Sequence, residues 1–397
     1  MITLGTGELR DTIQDCHVNF LIGAGMSMPY LDTLGAIEEL LSQLEKESIA
    51  EDKKKIIRAS LYKKYFDDVI SKNMEILSGA GGHDVFESYK QFLNVINALL
   101  LHRKITLLSK QINIFTTNID LYIEKALEEG GFENNDGFNG RFKPCFDLGN
   151  FKKSLSRRSL HFDNISELPM FNLVKLHGSL TWELDDDKET IKFCRDLGLV
   201  QGVKDVALAA TDAITIPNTP KPTIASLSAA AASTRANGSI DTFMEAYEKL
   251  MIVNPTKEKF MHTVLNQTYY ELLRIYSNEL EKENTVLFVM GFSFADEHIR
   301  KMTLRAANSN PTLKIYIFNR SSDSAKRFLD RFDNFKAAKN NNIKLVVPPK
   351  KKAEEGEPEE DEFEYTLGTI NEHVFDKLLN EVSEKEEKIP TTEHEEQ

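Results

Sequence analysis

Four short segments carry residue types and spacings that could do chemistry. In Leu21-Ile22-Gly23-Ala24-Gly25-Met26-Ser27 an apolar strand runs into Gly-Ala-Gly and then toward a helix. Glycines permit a tight turn and a close approach of backbone to phosphate, and a helix N-terminus favours a pyrophosphate. The third Gly of GxGxxG is missing, so a plain βα turn explains this segment about as well. Phe115-Thr116-Thr117-Asn118-Ile119-Asp120 falls between a strand read over 112–115 and a helix read over 121–129. Open α/β sheets bind ligands at that edge. Asn118 or Asp120 could cap the helix, but two polar groups flanking one Ile exceed what a cap needs. Lys175-Leu176-His177-Gly178-Ser179-Leu180 follows another apolar strand and puts an imidazole, a base suited to neutral pH, at the same edge. A lone His at a strand end is more often structural; what argues for chemistry is its place at a third strand end of one sheet.

The fourth segment is Met290-Gly291-Phe292-Ser293-Phe294-Ala295-Asp296-Glu297-His298, with Ile317-Phe318-Asn319-Arg320 one βα unit later. Gly291 and Ser293 suit a nucleotide contact. Asp296 and Glu297 open the next helix, where the dipole favours acids, and Glu297 is read as the cap.

The elements that must position these groups are βα units. Short β-rich apolar runs at 17–22, 111–116, 171–176, 250–253, 285–291, 313–318 and 342–347 alternate with amphipathic runs. That alternation predicts an α/β fold, a Rossmann-like and mostly parallel sheet flanked by helices. Several of these strands are apolar almost throughout, as strands covered on both faces should be. Helical spacing over 34–46, 51–72 and 85–108 predicts a helical insertion at about 34–108, longer than one crossover requires. A second insertion, about 181–249, mixes loop and helix. A long helix is expected over 257–282. The α/β body should span 1–348, followed by an acidic low-complexity loop at 349–362, a closing helical segment at 363–382 and a flexible acidic tail at 383–397.

Composition narrows the function classes. Of the net charge of −13, residues 351–362 and 381–397 supply −10, each with seven acids and two lysines. The rest is nearly neutral, so no basic field steers nucleic acid, and nucleic-acid binding by this chain alone is not expected. The three cysteines, Cys16, Cys145 and Cys194, form no CxxC pair, which excludes a Cys₄ zinc site and a disulfide framework. A reducing compartment, the cytoplasm, is expected. No basic n-region precedes Arg10 and no apolar run approaches the ~20 residues of a membrane helix, so neither secretion nor a membrane span is expected.

Taken together, the segments resemble the sirtuin superfamily. GAGMS looks like the sirtuin GAGxS phosphate loop, TTNID is similar to TQNID, and HG to the catalytic His-Gly. The resemblance covers roughly 15–25, 111–129, 171–182 and 285–320. It departs from the protein deacylases of that family, which carry a zinc held by two CxxC pairs. Met28-Pro29-Tyr30-Leu31 replaces their Gly-Ile-Pro-Asp-Phe-Arg signature, and Thr117 stands where they have Gln. KLHGSLTW and GFSFADEHI look like the sirtuin-like NAD+ hydrolases of bacterial anti-phage defence. The chain is most similar to the single-domain type that works with a HerA-type hexameric ATPase.

That resemblance implies NAD+ as substrate, no structural zinc or other metal, and a homo-oligomer. It makes Asn118, His177 and Asp120 catalytic: Asn118 holds ribose and water, His177 is the base, and Asp120 orients the nicotinamide side or a water. It assigns the pyrophosphate to Gly23, Ala24, Gly25 and Ser27, with Met26, Thr116, Thr117 and Gly178 also in the cofactor set. Gly291, Ser293, Phe294, Asn319 and Arg320 fall toward the adenosine half. An ungated NAD+ hydrolase would kill its host, so a partner or assembly step should open the site, with the helical insertions as candidate interfaces. Two other classes remain open: an NAD-dependent protein deacylase, for which the second insertion could replace the zinc lobe, and a non-catalytic NAD or ADP-ribose sensor. A nuclease is disfavoured, because Asp185-Asp186-Asp187 reads as an exposed acidic turn.

Overall fold

The computed structural model describes residues 1–387 except 34, 104–107, 188, 207, 209–211, 218–220, 235–237, 254–262, 337 and 352–359. Its centre is a seven-stranded sheet. In chain order the strands are β1 (His17–Ile22), β2 (Gln111–Thr116), β3 (Asn134–Asn135), β4 (Met170–Lys175), β5 (Thr285–Met290), β6 (Lys314–Phe318) and β7 (Ile343–Val346). Their spatial order is β7-β6-β5-β1-β2-β4-β3, and every neighbouring pair is parallel. All six β5 residues are buried, because helices cover both faces. One face packs Phe20, Ile114 and Phe288 under the helices Thr6–Asp15, His83–Leu101 and Tyr122–Glu129. The other packs Leu21, Phe115 and Val289 under Thr263–Glu281 and Glu297–Ser309. No helix among the described residues is long and apolar enough to cross a membrane.

Most predicted elements lie where the pattern puts them, and the exceptions have physical reasons. The strand expected at 250–253 is absent; only Ile252 makes a bridge, to Gly178. Leu250 to Val253 are apolar because they are buried in packed cores, which periodicity cannot tell from a short strand. The edge strand Asn134–Asn135 has no apolar pattern to announce it. A small antiparallel sheet of Phe138–Asn139, Cys145–Phe146, Ile191–Phe193 and Trp182–Leu184 is held by edge-to-face and tilted aromatic contacts, and its strands are too short to read. The helix expected over 51–72 changes at Phe66–Ile70 to a π turn and resumes at Lys72–Ser78. The one expected over 85–108 is His83–Leu101. The long helix begins at Thr263, its expected start lying outside the described residues, as do 352–359 of the acidic loop; the closing helix runs on to Glu387, into the tail expected from 383, whose remainder lies outside the described residues.

The two insertions form one lobe. Leu41, Ile57 and Phe66 of the first share a core with Val203, Leu227, Phe243 and Tyr247 of the second. Ile119 and Leu180, from the loops after β2 and β4, are buried in that same core, so the lobe anchors the loops that carry the candidate site.

Inside the sheet, four asparagines occupy one register row. Asn19 lies opposite Asn113, Asn113 opposite Asn172, and Asn172 opposite Asn135. Asn172 Nδ2 donates to Asn113 Oδ1 at 3.0 Å, and Asn113 Nδ2 donates to Asn19 Oδ1 at 2.8 Å. A slip of one strand would break this chain of amides, so it fixes register beyond what apolar side chains do. Asn113→Ala removes the middle link and leaves Asn19 Oδ1 buried without its donor. It should cost about 1–3 kcal/mol of stability, read from the urea midpoint; an unchanged midpoint would show that the row holds nothing.

Candidate active site at the carboxyl ends of the strands

The candidate residues sit where β1, β2, β4 and β5 end. Thr116 closes β2 and is fully buried. Its hydroxyl donates to the Ile22 carbonyl at 2.8 Å and accepts from the Asn118 N–H at 3.0 Å. It staples the two loops together.

Ser27 is the hub of the site. Its hydroxyl donates to Asp120 Oδ2 at 2.8 Å. A hydroxyl has one hydrogen, so its other bonds are accepted: from Asn118 Nδ2 at 3.3 Å and from the Tyr89 hydroxyl at 3.1 Å. Ser27 is 1% exposed and the capacity of its hydroxyl is spent inside the protein. Met26 is buried in the core. The Gly-Ala-Gly turn leads into a single 3₁₀ turn, Ala24–Ser27, and the next α-helix among the described residues starts at Gly35, so the turn does not itself open an α-helix. Gly23 N–H and Gly25 N–H donate to the carbonyls of Met290 and Gly291. A Cβ on Gly23 would lie 2.5 Å from the Gly291 oxygen, and one on Gly291, whose φ is +63°, would lie 2.6 Å from the Met26 nitrogen. These three glycines let the β1 and β5 loops close on each other.

Asp120 is also interior. Its Oδ1 accepts from the Tyr122 N–H at 3.3 Å, so both oxygens are engaged by the protein. Burial pushes its carboxyl upward, while the nearby Lys175 ammonium and the Ser27 bond pull it down. Lys175 Nζ donates to the Asp120 carbonyl at 2.5 Å and pairs with Glu124 at 2.8 Å, tying the end of β4 to the loop after β2. Asn118 differs from its neighbours. Its Nδ2 is held by Ser27, yet its Oδ1 is buried with no partner. Buried acceptors are rarely left so, and a donor from a ligand or a water would complete it.

His177 follows β4. Its Nε2 lies 3.2 Å from Asp296 Oδ2, with the Asp296 side chain 6% exposed. Since the strand order is β5-β1-β2-β4, this contact crosses the ends of β1 and β2. Gly178 has φ +77°, and a Cβ there would meet the Met251 oxygen at 2.1 Å. The glycine lets the His-Gly turn pack closely on the Met251–Ile252 backbone. The cap of the following helix is Asp296, whose Oδ1 accepts from the N–H groups of His298 and Ile299; Glu297, expected in that role, pairs with Lys301.

The residues expected toward the adenosine half follow β5 and β6. Phe294 is fully buried against Phe292, Phe328 and Phe335. Asn319 turns its amide to the Ile317 carbonyl, and Arg320 pairs with Glu364 at the surface. Ala24 and Thr117 are half-buried and Ser293 is exposed. Sequence reasoning missed Tyr89, Lys175 and Asp296 as supports. Tyr89 reads as one more core position of an amphipathic helix and gives no signal. Asp296 was in view, in its capping role alone. Among the described residues no group of three His, Cys, Asp or Glu side chains could hold a metal ion.

Fold and cluster define an α/β protein with a polar site at the switch edge of a parallel sheet. Residues 112–346 match the family model for the SIR2-like domain, and the chain belongs to that family. The match starts inside β2; β1 and its glycine turn precede it, yet form the middle of the sheet. No curated protein matches the sequence. Membership in this family is compatible with NAD-related chemistry.

Ser27→Ala strands Tyr89, Asn118 Nδ2 and Asp120 at once. Stability should fall by about 2–4 kcal/mol, summing more than one unsatisfied buried group. If the guanidinium midpoint of the alanine variant matches that of the parent, the hub is not what holds the loops.

Proposed function

We propose that the protein is an NAD+ hydrolase that releases nicotinamide and ADP-ribose. The observation that carries this reading is the buried, unpaired Oδ1 of Asn118, in the loop after β2, the strand next to the one that delivers His177. Membership in the SIR2-like family supports it, as does the place of both residues at a ligand-binding sheet edge.

The nicotinamide of NAD+ is cationic and leaves as a neutral molecule, so the leaving group needs no acid. Cleavage passes through an oxocarbenium-like state, as in glycoside hydrolysis. The site must then hold the ribose, exclude stray water and direct one nucleophile. In this reading Asn118 Oδ1 accepts a hydrogen bond from a ribose hydroxyl or the attacking water. His177 takes the proton. Asp120, Ser27, Tyr89 and Lys175 touch no substrate; they hold the Asn118 loop in place.

The wider role rests on resemblance. We propose a cytoplasmic effector of anti-phage abortive infection, acting as a homo-oligomer and gated by a partner such as a HerA-type ATPase. The helical lobe is the candidate for transmitting that gate, because it shares its core with Ile119 and Leu180 of the site loops.

His177→Ala and Asn118→Ala should each lower turnover of NAD+ by a factor of about 10²–10⁴ with melting temperature retained. Turnover is measured on the purified chain, alone and with extract of phage-infected cells, with products resolved by mass. Full activity in both folded variants would sink the assignment. Release of O-acetyl-ADP-ribose from an acetylated peptide would establish the deacylase instead. Binding without turnover in any condition would establish a sensor.

A further inference from the structure

Resting on that reading, we propose that Asp296 is a positioning residue that fixes the tautomer of His177 and so decides which ring nitrogen acts as the base. The two oxygens of Asp296 have separate tasks. Oδ1 accepts from the N–H groups of His298 at 2.9 Å and Ile299 at 3.2 Å, which pins the carboxylate at the start of the helix Glu297–Ser309. Oδ2 is thereby aimed at His177 Nε2, 3.2 Å away. An ionised carboxylate only accepts hydrogen bonds. Nε2 must therefore carry the hydrogen, and the lone pair of the neutral ring lies on Nδ1. The Tyr269 ring, with its centroid 6.0 Å from that of the imidazole, packs beside it, and the His177 carbonyl is held by the Val253 N–H at 2.9 Å. Both side chain and backbone of His177 are thus constrained from outside its own loop.

The proton inventory follows. The attacking water gives its proton to Nδ1 and its oxygen bonds to the ribose carbon, while the bond from that carbon to the nicotinamide nitrogen breaks and the electron pair leaves with nicotinamide. The ring becomes an imidazolium with hydrogens on both nitrogens. Asp296 stays a carboxylate and stabilises that cation; no proton passes to it.

Asp296→Asn separates this role from the capping role. Asn caps helices about as well as Asp, so its Oδ1 should keep the His298 and Ile299 bonds. Its Nδ2 then replaces Oδ2 and donates to Nε2, which forces the hydrogen onto Nδ1, the wrong nitrogen. Nitrogen chemical shifts of ¹⁵N-histidine-labelled protein, with His177 assigned by difference against His177→Ala, report the tautomer of the neutral ring without any need for turnover. The expected result is the Nε2–H form in the parent and the Nδ1–H form in Asp296→Asn. Its kcat should be at least about 10²-fold lower, with KM and melting temperature unchanged. Asp296→Ser keeps a cap but cannot reach His177, and should lose activity with little loss of stability. An Nδ1–H tautomer in the parent, or the same tautomer in both proteins, would overturn the proposal. A parent that stays inert toward NAD+ even with extract of phage-infected cells, yet shows the expected tautomers, would leave Asp296 in its role and overturn the hydrolase reading alone.

Discussion

The site depends on a constraint of valence: the Ser27 hydroxyl has one hydrogen, and Asp120 takes it. That leaves two lone pairs, which receive Asn118 and Tyr89. One side chain on the β1 loop thus fixes two residues of the β2 loop and one of the helix His83–Leu101. Because the cluster is almost dry, each bond is stronger than it would be at the surface, and each unmade bond costs more. The cluster is rigid for that reason, and the Asn118 amide is presented with one end tied and the other unpaired. Lys175 adds a second tie from β4, through the Asp120 carbonyl and Glu124.

The helical lobe is the other half of the arrangement. Its core is built from two insertions some seventy residues or more apart in sequence, and it swallows the apolar residues Ile119 and Leu180 that lie within the site loops. Polar residues of those loops therefore face the cluster while their apolar neighbours are gripped by the lobe. A shift of the lobe would have to move both loops. In sirtuin deacylases a zinc lobe is the second unit, and this chain, with its three free cysteines, builds its second unit from packed helices.

The sheet was legible in the sequence because buried parallel strands leave a plain apolar record. Residues 17–22 and 111–116 are strands over the whole expected range, and 171–176 is displaced by one residue. The positions of Asn118 and His177 at one sheet edge were legible for the same reason. The roles of individual residues were less so. A glycine that admits a phosphate and a glycine that admits another loop look alike in sequence, and at Gly23, Gly25 and Gly291 the loop is what fills the space. Ser27 and Asp120 have the side chains of ligand contacts but face inward, and facing is set by three-dimensional packing that no spacing rule encodes. Asp296 was misweighed because a carboxylate has two oxygens, and the capping pattern accounts for only one.

A crystal structure with a non-cleavable NAD+ analogue tests the account most directly. The account predicts that Asn118 Oδ1 accepts a hydrogen bond from the nicotinamide ribose or from a water beside its anomeric carbon, with Ser27 still bonded to Asp120. An analogue bound elsewhere, with Asn118 Oδ1 unchanged and the ribose out of reach of His177, would contradict it.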